Sequence, residues 1–157
     1  MQTRLFTLVI ALTSVLAFGA VAFSDNNVGT WKLNVAKSSF SPGPGPKSQT
    51  LKIEAWGDDG LKYTADGVGP DGKPSHAEFQ AKFDGKDVPF KGNPDADTLA
   101  YTRIDANTLQ ATTKLKGKTT ITAKVALSAD GKTRTVTQTG TDAQGRTVKS
   151  VFVYEKQ

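Results

Sequence analysis

Residues 118–141 read KTTITAKVALSADGKTRTVTQTGT, two alternating segments around one turn. In the first segment every second residue is apolar: Ile121, Ala123, Val125 and Leu127. Asp130 and Gly131 are a turn signal, because Asp can close a turn with its own side chain and Gly accepts a positive φ. In the second segment Thr occupies every second position from 133 to 139. This period of two on both sides of a turn predicts a β-hairpin with one buried face.

The same pattern extends over most of the chain. Turn signals rich in Asp, Asn and Gly separate short alternating segments. They predict ten strands, over residues 28–35, 47–56, 60–67, 74–83, 86–91, 98–104, 107–115, 118–128, 132–141 and 146–155. Connections this short join antiparallel neighbours, so the strands follow a meander. A twisted meander exposes its edges unless it closes, so the sequence predicts an all-β, up-and-down barrel of about eight to ten strands, with a β-sandwich as the alternative.

One connection differs from the others. Residues 36–46 read AKSSFSPGPGP, with a proline at every second position of the second half. This spacing excludes a stable helix and favours an extended loop. Phe40 is its only large apolar residue. Two interpretations stay open: a lid across the barrel mouth with Phe40 as its latch, or a surface linker that carries one packed Phe.

Residues 1–22 have the features of a secretory signal peptide. Arg4 precedes an apolar run over residues 5–18, and Ala20-Val21-Ala22 is a small-x-small pattern that a signal peptidase can cleave. The run is short for a membrane-spanning helix, and polar sequence follows at once. We therefore expect a single lipocalin-like barrel domain over residues 23–157, located in the periplasm or outside the cell, without a membrane span.

Exported protein is expected to begin at Phe23. The small side chains of Ala20 and Ala22 satisfy the peptidase, and the apolar run ends four residues earlier, at Phe18. Intact-mass measurement or Edman sequencing of exported material checks this prediction. Exported protein that still carries all 157 residues would contradict it.

The composition leaves little material for catalytic or metal chemistry. The chain has no Cys and one His, His76, so thiolate metal sites, multi-histidine sites and Ser-His-Asp triads have few residues to draw on. His76 is out of phase with the apolar residues of its strand and is expected to face solvent. No pair of carboxylates is indicated either. We expect a protein that is not an enzyme and that has neither a metal nor a cofactor.

The charge is mildly basic and unevenly distributed. The formal net charge is +5, and residues 103–157 hold ten Lys and Arg against four Asp and Glu. A basic surface can meet anionic partners. These residues alternate singly with Thr and apolar residues, however, as on the solvated face of a strand. We therefore expect no nucleic-acid partner.

The start of the first strand resembles a known superfamily. Val28-Gly29-Thr30-Trp31-Lys32-Leu33 contains a Gly-x-Trp that resembles the calycins, the lipocalins and fatty-acid-binding proteins, in which this Trp plugs the closed end of the barrel. Residues 117–121, GKTTI, and residues 153–156, VYEK, resemble the fatty-acid-binding type in particular. Together with the leader, the resemblance implies a secreted lipocalin-like protein of the bacterial type, with Gly29 and Trp31 as structural residues.

The resemblance also bears on the ligand. Family members that hold a fatty-acid carboxylate have an Arg two residues before the Tyr of the last strand and a second Arg shortly after the Thr-Thr-Ile. This chain has Phe152 and Ala123 at those places, and only Tyr154 matches. The expected ligand is therefore small, neutral and largely apolar. The candidate ligand-binding residues are Phe40, Tyr63, Phe79, Phe83, Tyr101, Phe152 and Tyr154.

A second hypothesis is an envelope or secreted interaction protein with a filled barrel core, which uses its basic outer face. The interior volume distinguishes the two hypotheses. Small residues predicted to point inward would leave room for a ligand: Ala55, Ala65, Ala77, Ala81, Ala111 and Ala123.

Overall fold

The computed structural model describes residues 25–157, and the predicted signal peptide over residues 1–22 lies outside this part. Ten strands follow one another: β1 (Gly29–Leu33), β2 (Ser48–Ala55), β3 (Gly60–Val68), β4 (Pro74–Lys82), β5 (Val88–Pro89), β6 (Thr98–Asp105), β7 (Thr108–Leu115), β8 (Lys118–Leu127), β9 (Thr133–Thr141) and β10 (Thr147–Lys156). A single 3-10 turn, Val35–Lys37, follows β1. In residues 25–157 no helix is long and apolar enough to cross a membrane.

The strands form one antiparallel sheet in the order β4-β3-β2-β1-β10-β9-β8-β7-β6-β5. The first and last strands pair with each other, and Leu33 of β1 lies opposite Tyr154 of β10. The far edges, β4 and β5, meet at a seam. There the backbones of Glu78 and Lys91 exchange two hydrogen bonds of 3.0 Å. The prediction of an antiparallel up-and-down barrel is therefore confirmed, and the barrel is nearly closed.

The alternation of the sequence is reproduced in the burial of the strands. On β8 the side chains predicted to point inward are buried: Ile121, Ala123, Val125 and Leu127. On β9 the Thr residues at 133, 135, 137 and 139 all face outward, since the residues between them point into the barrel. The core therefore occupies the barrel interior and is supplied by all the long strands.

Two details of the predicted strands are wrong. Ala55, expected to face inward, is exposed because β2 ends there and the chain turns, with the N–H of Trp56 bonded to the carbonyl of Gly60 at 3.0 Å. The fifth strand, expected over residues 86–91, has only two residues, Val88 and Pro89. Pro has no N–H to donate, so it limits the pairing of this segment.

Trp31 closes one end of the barrel, which we call the floor. Its side chain is 0% exposed, and its indole N–H donates to the carbonyl of Asn27 at 2.9 Å. The ammonium of Lys156 lies 5.0 Å from the ring centroid. Gly29 has a φ of +140°, and a Cβ there would lie 2.7 Å from Cε of Lys156. Glycine therefore suits both the backbone and the close approach of Lys156.

The proline-containing segment after β1 runs along β10. Ser39 and Val151 exchange two backbone hydrogen bonds, of 2.8 and 2.7 Å, and the N–H of Lys149 donates to the carbonyl of Ser41 at 2.8 Å. The ring of Phe40 meets the ring of Phe152 edge-on, with centroids 5.0 Å apart. These contacts favour the interpretation as a linker that carries a packed Phe.

Candidate ligand-binding site

The barrel contains a cavity of about 360 Å³ that opens at the end opposite Trp31. Small-molecule sites commonly have volumes of roughly 300–1,000 Å³. Four of the alanines predicted to leave room do line it: Ala65, Ala77, Ala111 and Ala123. The barrel interior is therefore not filled by its own side chains. The hypothesis of an interaction protein required a filled core.

Aromatic rings form much of the cavity wall. Five of the seven candidate residues line it: Tyr63, Phe79, Tyr101, Phe152 and Tyr154. Tyr63 and Phe79 are opposite each other on β3 and β4, and their rings stack with centroids 4.6 Å apart. Phe79 also lies 5.5 Å from Tyr101, centroid to centroid. The wall offers flat apolar surface with a few hydroxyl groups.

The structure does not bring Phe40 and Phe83 into the cavity. Phe40 packs against Phe152 from the proline-containing segment. Phe83 follows the last residue of β4 and lies near the floor, where the guanidinium of Arg103 sits 4.1 Å from its ring centroid. Phe40 was a candidate as the latch of a lid, and its contact with Phe152 does not support that role. Alternation placed Phe83 on the inward side, but it did not show how deep along the barrel the ring lies.

A buried cation, Arg134, also lines the cavity. Arg134 is on β9, on the same inward face as Val136, and is only 2% exposed. Its Nη2 donates to the hydroxyl of Tyr101 at 3.3 Å. Its Nε has no hydrogen-bond partner among residues 25–157. A buried charge without a counter-charge is costly, so this guanidinium is prepared for an anion.

No carboxylate of the described chain neutralises Arg134 with an ion pair. Asp95 is the acid found in the cavity lining. It belongs to the loop that precedes β6, and its Oδ1 accepts the N–H of Ala143 at 2.9 Å. Among residues 25–157 the cavity lining therefore holds a cation, Arg134, and an acid, Asp95, that form no ion pair with each other.

The premise of the neutral-ligand prediction, that the cavity holds no positive group, is wrong, because Arg134 lines the cavity. Phe152 and Ala123 do line the cavity. The positive charge comes instead from the neighbouring strand, because Arg134 lies opposite Tyr154 in the register of β9 and β10. The sequence carried a signal for this: with Thr on every odd position, Arg134 shares the inward phase of Val136. Arg134 was instead interpreted as one of the basic residues of the outer face, so its inward position was not predicted.

Two tyrosines of the cavity stay protonated at neutral pH. Burial raises the pKa of Tyr63 and of Tyr154, and the nearby charge of Arg134 acts in the opposite direction with a smaller effect. The hydroxyl of Tyr154 donates to Oε1 of Gln49 at 2.5 Å. These tyrosines therefore offer neutral polar groups, and Arg134 supplies the charge.

The mouth of the cavity is polar. His76 lines it and is exposed, as predicted, with its Nδ1 2.6 Å from a carboxylate oxygen of Asp66. This hydrogen bond to Asp66 raises the pKa of His76. A polar mouth above an aromatic interior suits a molecule with a large apolar part that enters from water.

Comparisons with known proteins show which solved structures share this fold. No protein-family model matches the sequence, and no curated protein matches it. The structure is similar to the crystal structure of wild-type fluorescent protein UnaG, with a TM-score of 0.54, 15% identity, and coverage of 84% of this chain and 98% of that chain. It is also similar to zebrafish ileal bile acid-binding protein complexed with cholic acid, with a TM-score of 0.51, 15% identity, and coverage of 84% and 99%. At this level of identity the similarity shows the fold alone: the chain forms an antiparallel β-barrel like those of the two proteins.

Proposed function

We propose that this protein is a non-enzymatic carrier that holds a small, largely apolar molecule with one carboxylate inside its barrel. The observation that carries the proposal is Arg134, a buried guanidinium in the cavity wall whose Nε has no partner in residues 25–157. Zebrafish ileal bile acid-binding protein, a barrel of the same fold, is complexed with cholic acid, an amphipathic carboxylic acid, which supports the analogy.

A carboxylate satisfies this site better than a neutral group does. It can accept hydrogen bonds from two guanidinium nitrogens at once, and it neutralises the charge. Hydrogen bonds to charged groups contribute about 1.5–3 kcal/mol each. The apolar part of such a ligand would pack on the rings of Phe79, Tyr101 and Phe152, which line the same cavity. Charge and shape therefore select the same class of molecule.

A straight-chain acid is expected to bind more tightly than the alcohol of equal length at neutral pH, by roughly 10- to 100-fold, because only the acid neutralises Arg134. Displacement of a fluorescent apolar probe measures both affinities. Arg134→Met should remove the preference for the acid. Lys124→Met is the matched control, since Lys124 is an exposed cation on β8.

Two outcomes would contradict the carrier proposal. An alcohol that binds the unmodified protein as tightly as the acid would show that Arg134 does not recognise a carboxylate. Failure of both compounds to displace the probe or to bind the folded protein would contradict the carrier function itself.

We further propose that this carrier acts outside the cytoplasm, as a lipocalin-like protein of the bacterial type. The support comes from residues 1–22, with Arg4, the apolar run and the small residues before Phe23.

A further inference from the structure

The loop between β5 and β6 lies at the mouth of the cavity, and we call its residues 91–97 the strap. Four consecutive residues of the strap, 92–95, line the cavity. At its beginning the strap lies on β4, where Lys91 exchanges two backbone hydrogen bonds with Glu78. Gly92 follows with a φ of +76°, and a Cβ at this position would clash with the carbonyl oxygen of His76. The strap therefore starts in direct contact with the backbone of β4.

The middle of the strap reaches the turn between β9 and β10. Oδ1 of Asp95 accepts the N–H of Ala143, which belongs to that turn, at 2.9 Å. In the sheet order β4 and β9 are five strands apart in either direction around the barrel, so they lie on opposite sides of it. A loop that contacts β4 and the end of β9 must pass over the opening between them.

The second end of the strap is held where β6 begins. Ala96 is buried, and Oδ2 of Asp97 accepts the N–H of Lys116 at 2.8 Å. Between the two ends, the N–H of Asp95 bonds within the strap, to Oδ1 of Asn93 at 2.8 Å. Among the hydrogen bonds of residues 25–157, the bond from the β9–β10 turn to Asp95 is therefore the one that ties residues 92–95 to the far side of the mouth.

We propose that the strap is the gate of the cavity, and that the carboxylate of Asp95 is the group that holds the gate closed. A carboxylate that accepts a backbone N–H forms a stronger hydrogen bond than a neutral acceptor does. When this bond breaks, residues 92–95 are free to move outward between their two held ends. The inference rests on the proposed function in one respect, that the cavity takes up a ligand, but it does not require that the ligand be an acid.

Asp95→Ala should raise both the association and the dissociation rate constant of an apolar probe by about 10-fold, because a hydrogen bond to a charged group shifts an equilibrium by roughly 10- to 100-fold. The dissociation constant should change by less than about twofold, since a change in gate opening alone alters entry and exit equally. Prodan, a small neutral dye that fluoresces in apolar surroundings, is a suitable probe because it has no charge for Arg134 to pair with. Stopped-flow fluorescence measures both rate constants.

Two further variants serve as controls. Asp95→Asn keeps a side-chain oxygen that can accept the N–H of Ala143, so its rate constants should lie closer to those of the unmodified protein than to those of Asp95→Ala. Asp71→Ala removes a carboxylate from another loop at the same end of the barrel. Asp71 accepts the N–H of Lys73 within its own turn, at 3.0 Å, and does not line the cavity, so this variant should change neither rate constant. Circular dichroism checks that each variant is folded.

The outcomes distinguish the gate from the function on which it rests. If Asp95→Ala leaves both rate constants unchanged, or changes dissociation alone, the strap is not a gate and the carrier function stands. Gated entry of prodan into a protein that does not prefer an acid to the alcohol would support the gate and refute the acid carrier. If prodan does not bind the folded protein, both proposals fail together. An equal rise of both rate constants in Asp95→Ala, absent from Asp71→Ala, supports the gate.

Discussion

Trp31→Ala is expected to lower the free energy of unfolding by about 3 to 5 kcal/mol, the usual cost of truncating a fully buried large aromatic residue. The side chain is completely buried at the floor, and its indole N–H is bonded to Asn27 at 2.9 Å. Removal leaves a void and an unpaired carbonyl. Urea denaturation followed by circular dichroism measures the effect.

Trp56→Ala serves as the control for Trp31→Ala. Trp56 is 39% exposed in the turn after β2, so its removal leaves no enclosed void. We expect a loss of less than about 1 kcal/mol, as for most surface substitutions. If Trp56→Ala proved the more destabilising change, the assignment of Trp31 as the residue that closes the barrel would be wrong.

Arg134→Met is expected to change stability in the opposite direction to Trp31→Ala. It should raise the free energy of unfolding of the ligand-free protein by about 1 to 4 kcal/mol. Met is unbranched like Arg but shorter, and it fills the part of that space nearest the backbone without a charge. The substitution removes a cation that is 2% exposed and forms no ion pair among residues 25–157. It gives up one hydrogen bond, the one to Tyr101. The same urea titration measures it.

A loss of stability in Arg134→Met would instead show that the guanidinium supports the barrel through Tyr101. A gain in stability combined with lost acid binding would identify Arg134 as a residue retained for function at the expense of stability. Binding sites commonly contain such residues.

Local patterns of the sequence predicted most of the fold. A period of two, with Asp- and Gly-containing turns, located all ten strands, because each strand has one face in the core. The fifth strand was predicted too long, since the effect of Pro89 depends on which residue faces it across the seam. Ala55 was misplaced for a similar reason, because alternation alone does not show where a strand stops being covered.

The site was predicted only in part. Tyr63, Phe79 and Tyr101 could be placed inside from their phase, since a strand sends alternate side chains to opposite faces. Arg134 had the same phase as Val136, but its chemistry made it look like a surface residue.

The pairing of β1 with β10 has a consequence for how the chain folds. Each hairpin of the meander joins neighbours in sequence and can form locally. The closing pair joins residues as distant as Trp31 and Lys156, so it brings the largest loss of chain entropy. Folding rates fall as contacts become more distant in sequence. The packing site of Trp31 at the floor therefore forms only when the last strand is available. In a nascent chain that lacks β10, the floor of the barrel stays open.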